Sequence, residues 1–245
     1  MMKKVTTLSL MALLASPSFA DSMGNPDYVN PNTAFFSLEA AYTRNSIDGF
    51  AFSILGTDST VLSLKDNQWY SGRIAGGMLN RVNDTFALSG ELGWGYYGRT
   101  NLNPVGTGVF AASPDIFRIQ NTITGFDVLM GAFYTQPCYN LFLKAGALIE
   151  NVNTTTNASL NLADFTTNNS FSWKQSSTEA LPEIKVGGSY LFNENWALTV
   201  AYFHAFGSDQ KTVGTVDPIT GTTNFSVNVE NPSLDSVLVG IQVSI

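Results

Sequence analysis

The chain offers little with which to do covalent chemistry. It has one histidine, His204, and one cysteine, Cys138. A hydrolytic site needs an imidazole held beside a nucleophile or a carboxylate. His204 is followed by Ala205 and Phe206, without the serine two residues on that would share its face of a strand. Alternation places it in phase with Tyr202, in an apolar row where an imidazole behaves as an interfacial aromatic. No Cys/His metal spacing, phosphate-cradling glycine loop or nucleophile elbow occurs. Cys138, beside Pro137, reads as an incidental turn residue, and a lone cysteine can form no intramolecular disulfide. The expectation is a protein without catalytic residues, metal or cofactor.

The other chemistry-bearing residues are eight ionisable side chains inside apolar, alternating segments: Glu39, Arg73, Glu91, Asp127, Lys144, Glu150, Glu183 and Lys185. Each falls on the face opposite the local aromatic and aliphatic series. Five acids and three bases on one enclosed face must pair with one another, because a buried unpaired charge is costly. They are expected to form an ion-pair network inside a closed sheet, with a structural role.

The elements that would position them repeat with period two, the mark of strands. In the last segment Val237, Val239, Ile241, Val243 and Ile245 oppose Ser236, Leu238, Gly240, Gln242 and Ser244. The first sets Phe36, Leu38, Ala40 and Tyr42 against Phe35, Ser37, Glu39 and Thr43. Six further segments sort likewise, giving eight strands. Their connections alternate in length. Tight turns rich in Asn, Asp and Pro are predicted at 80–84, 136–140 and 193–195. The others, near 45–68, 98–121, 152–179 and 208–234, each run to about two dozen residues, which a compact soluble domain seldom tolerates.

A soluble eight-stranded barrel would enclose its apolar face and hydrate its exterior. Here the charged face is the one that must be enclosed, and tyrosines and tryptophans gather near strand ends in phase with the apolar series. That is the pattern of an antiparallel up-and-down transmembrane β-barrel, with short periplasmic turns and long extracellular loops. No apolar run after residue 20 is long enough for a membrane helix, whereas a membrane strand needs only about 9–11 residues.

Bulk properties agree. The net charge is −7, with 13% charged and 12% aromatic residues, which argues against nucleic acid as a partner. Lys3 and Lys4, an apolar stretch from Val5 to Leu14, and small residues at Ser18 and Ala20 form the three parts of a secretory signal. Cleavage is expected after Ala20. The predicted organisation is a signal peptide over 1–20, a polar periplasmic lead-in over 21–32 and one barrel over 33–245.

Two stretches carry a family resemblance. One runs from Leu181-Pro182-Glu183-Ile184-Lys185-Val186-Gly187-Gly188 through Asn195-Trp196-Ala197-Leu198 to Phe206-Gly207. The other is the C-terminal strand with Gly240, Ile241, Val243 and Ile245. On these the chain resembles the small outer-membrane β-barrels grouped with the transmembrane domain of outer-membrane protein A and the opacity-type surface antigens. The resemblance implies residence among outer-membrane lipids. It also implies that the barrel-insertion machinery reads Gly240, Ile241, Val243 and Ile245 as an assembly signal. The chain departs from the pattern by ending in Ile245 rather than Phe and by placing Leu238 where a polar residue is common.

The function expected is that of a monomeric, non-enzymatic surface protein, its loops presented to an extracellular ligand for adhesion or cell contact. A narrow porin-like channel for small or hydrophobic solutes is the alternative, suggested by inward glycines such as Gly77, Gly93 and Gly131 that could leave voids. A lipid-modifying enzyme comes last.

Overall fold

A computed structural model describes residues 32–46, 50–54, 58–66, 68–104, 117–160, 169–207, 215–216 and 231–245. The expected signal peptide, its cleavage point and nearly all of the lead-in lie outside the described residues.

Eleven strands follow in chain order among those residues: β1 (Asn32–Asn45), β2 (Phe50–Ile54), β3 (Asp58–Asp66), β4 (Gln68–Arg81), β5 (Phe86–Pro104), β6 (Phe117–Thr135), β7 (Tyr139–Leu160), β8 (Asn169–Leu191), β9 (Trp196–Ala205), β10 (Thr215–Val216) and β11 (Leu234–Ser244). Eight of them close a ring. β1 pairs with β4 on one side and β11 on the other, and β4, β5, β6, β7, β8, β9 and β11 pair in succession, all antiparallel. The eight-stranded antiparallel barrel anticipated from alternation is the fold.

Side chains divide as period two requires. Phe36, Leu38, Ile74, Leu92, Trp94, Val128, Met130, Leu143, Val239 and Ile241 stand outward and exposed, while Glu39, Arg73, Glu91, Asp127 and Lys144 are buried inside. An exposed apolar band around the whole circumference is what hydrocarbon selects, and ring closure supplies the hydrogen-bond partners that lipid cannot. Aromatic rings border the band at both edges. Tyr42 and Tyr70 meet edge to face at 5.7 Å on one side; Phe86 with Tyr134 at 5.6 Å and Tyr190 with Phe192 at 5.7 Å lie on the other.

Three short turns occupy one end, here the turn end. In two of them an asparagine side chain closes the turn. Asn83 Oδ1 accepts from the amides of Thr85 (2.9 Å) and Phe86 (2.8 Å), and Asn193 Oδ1 accepts from those of Asn195 (2.9 Å) and Trp196 (2.8 Å). This is local side-chain mimicry of a backbone turn. The first turn sits at 82–85, slightly later than the 80–84 expected. At the same end Ile245 and Ala34 exchange main-chain bonds of 2.8 and 3.2 Å.

The opposite end corrects the sequence reading. Much of what the sequence assigned to long loops is paired strand. β5 and β6 stay paired to Leu102 and Ile119, β6 and β7 to Phe117 and Ala158, and β7 and β8 to Leu160 and Asn169. The hairpin β2–β3 falls within the expected first loop, and β3 pairs with β5. The Thr/Asn/Ser composition of 153–177 has no apolar face with which to announce a strand, but backbone pairing needs none. A bulge between Tyr96 and Gly98 marks the change from barrel wall to projecting sheet. Gly98 takes φ +115°, and a Cβ there would lie 2.8 Å from the Trp69 side chain, so glycine is required on both counts.

The band makes a sign-definite prediction. Leu38 pairs with Ile74 and Ile241 at mid-band. Leu38→Arg should lower unfolding free energy in lipid bilayers by about 2–4 kcal/mol, whereas Ser172→Arg on the projecting sheet should change it little. Urea titration of the refolded barrel reads both.

Candidate functional site: the ionic layer of the barrel interior

The inward residues of eight strands meet on the barrel axis, where eight strands leave only enough space for side chains. They stack in three levels. Toward the turn end lie the rings of Phe35, Phe133 and Phe142. In the middle lie the charges. Toward the loop end lie Tyr97, Phe203, Ile123, Leu148, Val152, Leu234 and Leu238.

Arg73 organises the middle. Its Nε donates to Asp127 Oδ2 at 2.8 Å, its Nη1 to Glu39 Oε2 at 2.8 Å, and its Nη2 to Glu91 Oε1 at 2.6 Å and also to Asp127 Oδ1. Lys185 bridges Glu39 Oε1 at 2.6 Å and Glu91 Oε1 at 3.3 Å. Lys144 binds the other Glu91 oxygen. Three cations and three carboxylates thus satisfy one another away from water. A guanidinium suits the centre because its planar fork can serve several carboxylates at once. Space for it comes from the neighbouring strand: a Cβ on Gly93 would sit 2.5 Å from Arg73 Nη2 and 2.7 Å from Asp127 Oδ1. The glycine packs against charge and leaves no void.

The flanking levels are tied to this layer. Lys144 Nζ stands 4.8–5.3 Å from the centroids of Phe142, Phe133 and Phe35, an aromatic enclosure on the turn side. On the other side Tyr97 stacks on Phe203 at 5.5 Å, and its hydroxyl donates to Asp127 Oδ2 at 3.3 Å. The expected ion-pair network is therefore an ionic layer between two apolar plugs.

The sequence grouped eight ionisable residues; the structure brings Glu39, Arg73, Glu91, Asp127, Lys144 and Lys185 together and leaves two out. Glu183 and Glu150 both face inward and are buried, yet no carboxylate oxygen of either has a hydrogen-bond partner. Among the described residues neither forms an ion pair, since Arg73, Lys144 and Lys185 are engaged by the other three acids. Alternation identifies a face; it does not identify height along the axis.

The C-terminal residues expected to be read as an assembly signal separate by face. Gly240 points inward against Leu38 and Thr199, Ile241 lies in the outward band, and Ile245 ends the chain with 84% of its surface exposed.

The outer face also carries charge, beside the His204 that alternation places in its apolar row. Near the loop end His204 and Asp235 are directly paired across β9 and β11, and Arg44 pairs with Asp235 across β1 and β11. His204 Nδ1 lies 2.8 Å from Asp235 Oδ1, which also accepts from the Tyr202 hydroxyl, and the Phe206 ring packs edge-on at 4.3 Å. The cluster lies at the rim beyond the apolar band, where charge is tolerated. Only cross-strand register could have revealed Asp235 as the partner of His204.

Neither a family model nor a curated protein matches the chain. Solved structures do resemble it. The attachment invasion locus protein Ail of Yersinia pestis aligns at 10% identity over 88% of this chain and 100% of its own, with a TM-score of 0.44. Neisserial surface protein A aligns at 16% identity over 86% and 97%, with a TM-score of 0.38. The outer membrane protease OmpT of Escherichia coli aligns at 8% identity over 89% and 99%, with a TM-score of 0.46. At these values the likeness says nothing of ligand or activity.

The ionic layer predicts a strong asymmetry among substitutions. Arg73→Met leaves Asp127 without a cation and takes one partner each from Glu39 and Glu91, and should destabilise the barrel by about 3–5 kcal/mol, and Arg73→Lys should recover little because one ammonium cannot reach all three. Urea midpoints of the two variants in the same lipid check this.

Proposed function

We propose that the chain is a non-enzymatic outer-membrane protein whose filled barrel anchors a projecting β-sheet outside the cell for adhesion or cell contact. The supporting observation is the combination of a plugged axis and an unusually tall wall. Side chains occupy the interior at three successive levels, while β5 to β8 continue past the aromatic border as a paired sheet. Its described surface is largely polar, with Ser172, Lys174, Ser176, Thr178 and Glu179 exposed. A barrel built to conduct would keep its axis open; one built to display needs rigidity there and reach above. The turn end, which also carries the described C-terminus, then faces the periplasm.

The barrel-insertion machinery is the assembly partner in this reading, with Gly240, Ile241, Val243 and Ile245 as the signal, and the signal peptide is removed after Ala20. The channel reading rested on voids beside glycines, and Gly93 shows such a position filled. The enzyme reading keeps the His204–Asp235 pair as its one favourable observation.

The discriminating experiment replaces residues 156–173 with a two-residue turn, removing the top of the β7–β8 hairpin without touching any interior level. Cells displaying the shortened protein should insert it normally but lose attachment to matrix proteins and to one another. Both forms should be silent in planar bilayers. Unchanged attachment, or steady single-channel conductance from the full-length protein, would contradict the proposal.

A further inference from the structure

Glu150 is one of two buried carboxylates, with Glu183, that have no hydrogen-bond partner among the described residues. It lies on the inner face of β7, is 0% exposed, and neither carboxylate oxygen is hydrogen-bonded. Arg73, Lys144 and Lys185 are all committed to the ionic layer below. Its directly paired neighbour across the β7–β8 ladder is another acid, Glu179. Residues so paired share a face, with Cβ atoms about 4.5–5.5 Å apart, and like charges there repel. Glu179 is nonetheless exposed, because β9 stops at Ala205, opposite Glu183, and leaves the upper part of β8 uncovered on that side.

A third group arrives from far along the chain. Asn231, just before β11, is 0% exposed, and its Nδ2 donates to the Glu150 main-chain oxygen at 3.1 Å. Its Oδ1 has no partner. The segment that carries Asn231 is held in place: Ser46 N donates to Ser233 O at 3.0 Å, Ser233 N to Ser46 Oγ at 3.0 Å, and Leu234 is fully buried.

We infer that Glu150, Glu179 and Asn231 form a binding site for a hard divalent cation of the calcium class, which clamps the segment entering β11 to the β7–β8 wall. Two carboxylates and an amide oxygen are the donors such a cation takes, with water completing its shell. The two negative charges match a divalent ion, and the exposed side of Glu179 gives it a path from solvent. Occupancy removes the repulsion between the paired acids and supplies the partner that the Asn231 oxygen lacks.

The test uses the mature barrel folded in zwitterionic detergent micelles and stripped with EDTA, titrated with calcium chloride and monitored by thermal unfolding. The midpoint should rise with half-saturation at about 10⁻⁴–10⁻³ M, the range of extracellular calcium modules. Glu150→Gln should abolish this rise while making the calcium-free barrel more stable, since it deletes an uncompensated charge. Glu179→Gln, an exposed change that cannot disturb the core, should weaken the response about tenfold or more. Asn231→Asp should strengthen it through added ligand charge. Glu183→Gln, removing the other unpaired interior carboxylate, should leave the response intact. No calcium-dependent shift in the native barrel, or an unchanged response in both Glu150→Gln and Glu179→Gln, would overturn the inference.

Discussion

A peptide group placed in hydrocarbon must find its hydrogen-bond partner within the protein. The architecture of the lipid-facing barrel follows from that constraint. Strands can satisfy it only if the sheet has no edge, so eight of them close into a ring. Closure fixes which side meets lipid, and the outward face becomes apolar without exception through the band. Polar and charged side chains are thereby confined to an interior too narrow for bulk water, where they must satisfy one another.

The interior answers that confinement by stratification. The ionic layer is centred on Arg73, whose fork engages three carboxylates from three different strands, with Lys144 and Lys185 completing the balance. Aromatic rings and aliphatic side chains above and below keep the layer dry, which strengthens its attractions and makes loss of any member severe. Beyond the lipid the constraint relaxes. Strands lengthen unequally, β9 stops while β7 and β8 continue, and residues on the inner phase of β8 meet solvent. Glu179 can therefore be exposed opposite a buried Glu150.

Legibility in the sequence tracked how local each interaction is. Alternation in Phe36–Tyr42 and Val237–Ile245 was sufficient to assign faces, and Asn193 flanked by strands was sufficient to place a turn. The projecting sheet is not announced by the sequence because stretches such as 153–160 and 169–177 pair through the backbone and are dominated by Asn, Thr and Ser. That Glu150 and Glu183 stay outside the ion pairs depends on which inward residues the strand stagger brings together around the ring. Asp235 became the partner of His204 only through cross-strand register, and Asn231 reaches Glu150 from a segment 81 positions away.

The most direct measurement of the central claim is accessibility along β11. In a Cys138→Ser background, single spin labels at successive positions from Ser236 to Ile241 would be read for collision with oxygen, which partitions into lipid, and with a water-soluble nickel chelate. The account predicts high oxygen accessibility at Val237, Val239 and Ile241, and low accessibility to both reagents at Ser236, Leu238 and Gly240. Strong collision of the nickel chelate with the second set would mean a water-filled axis and would contradict it.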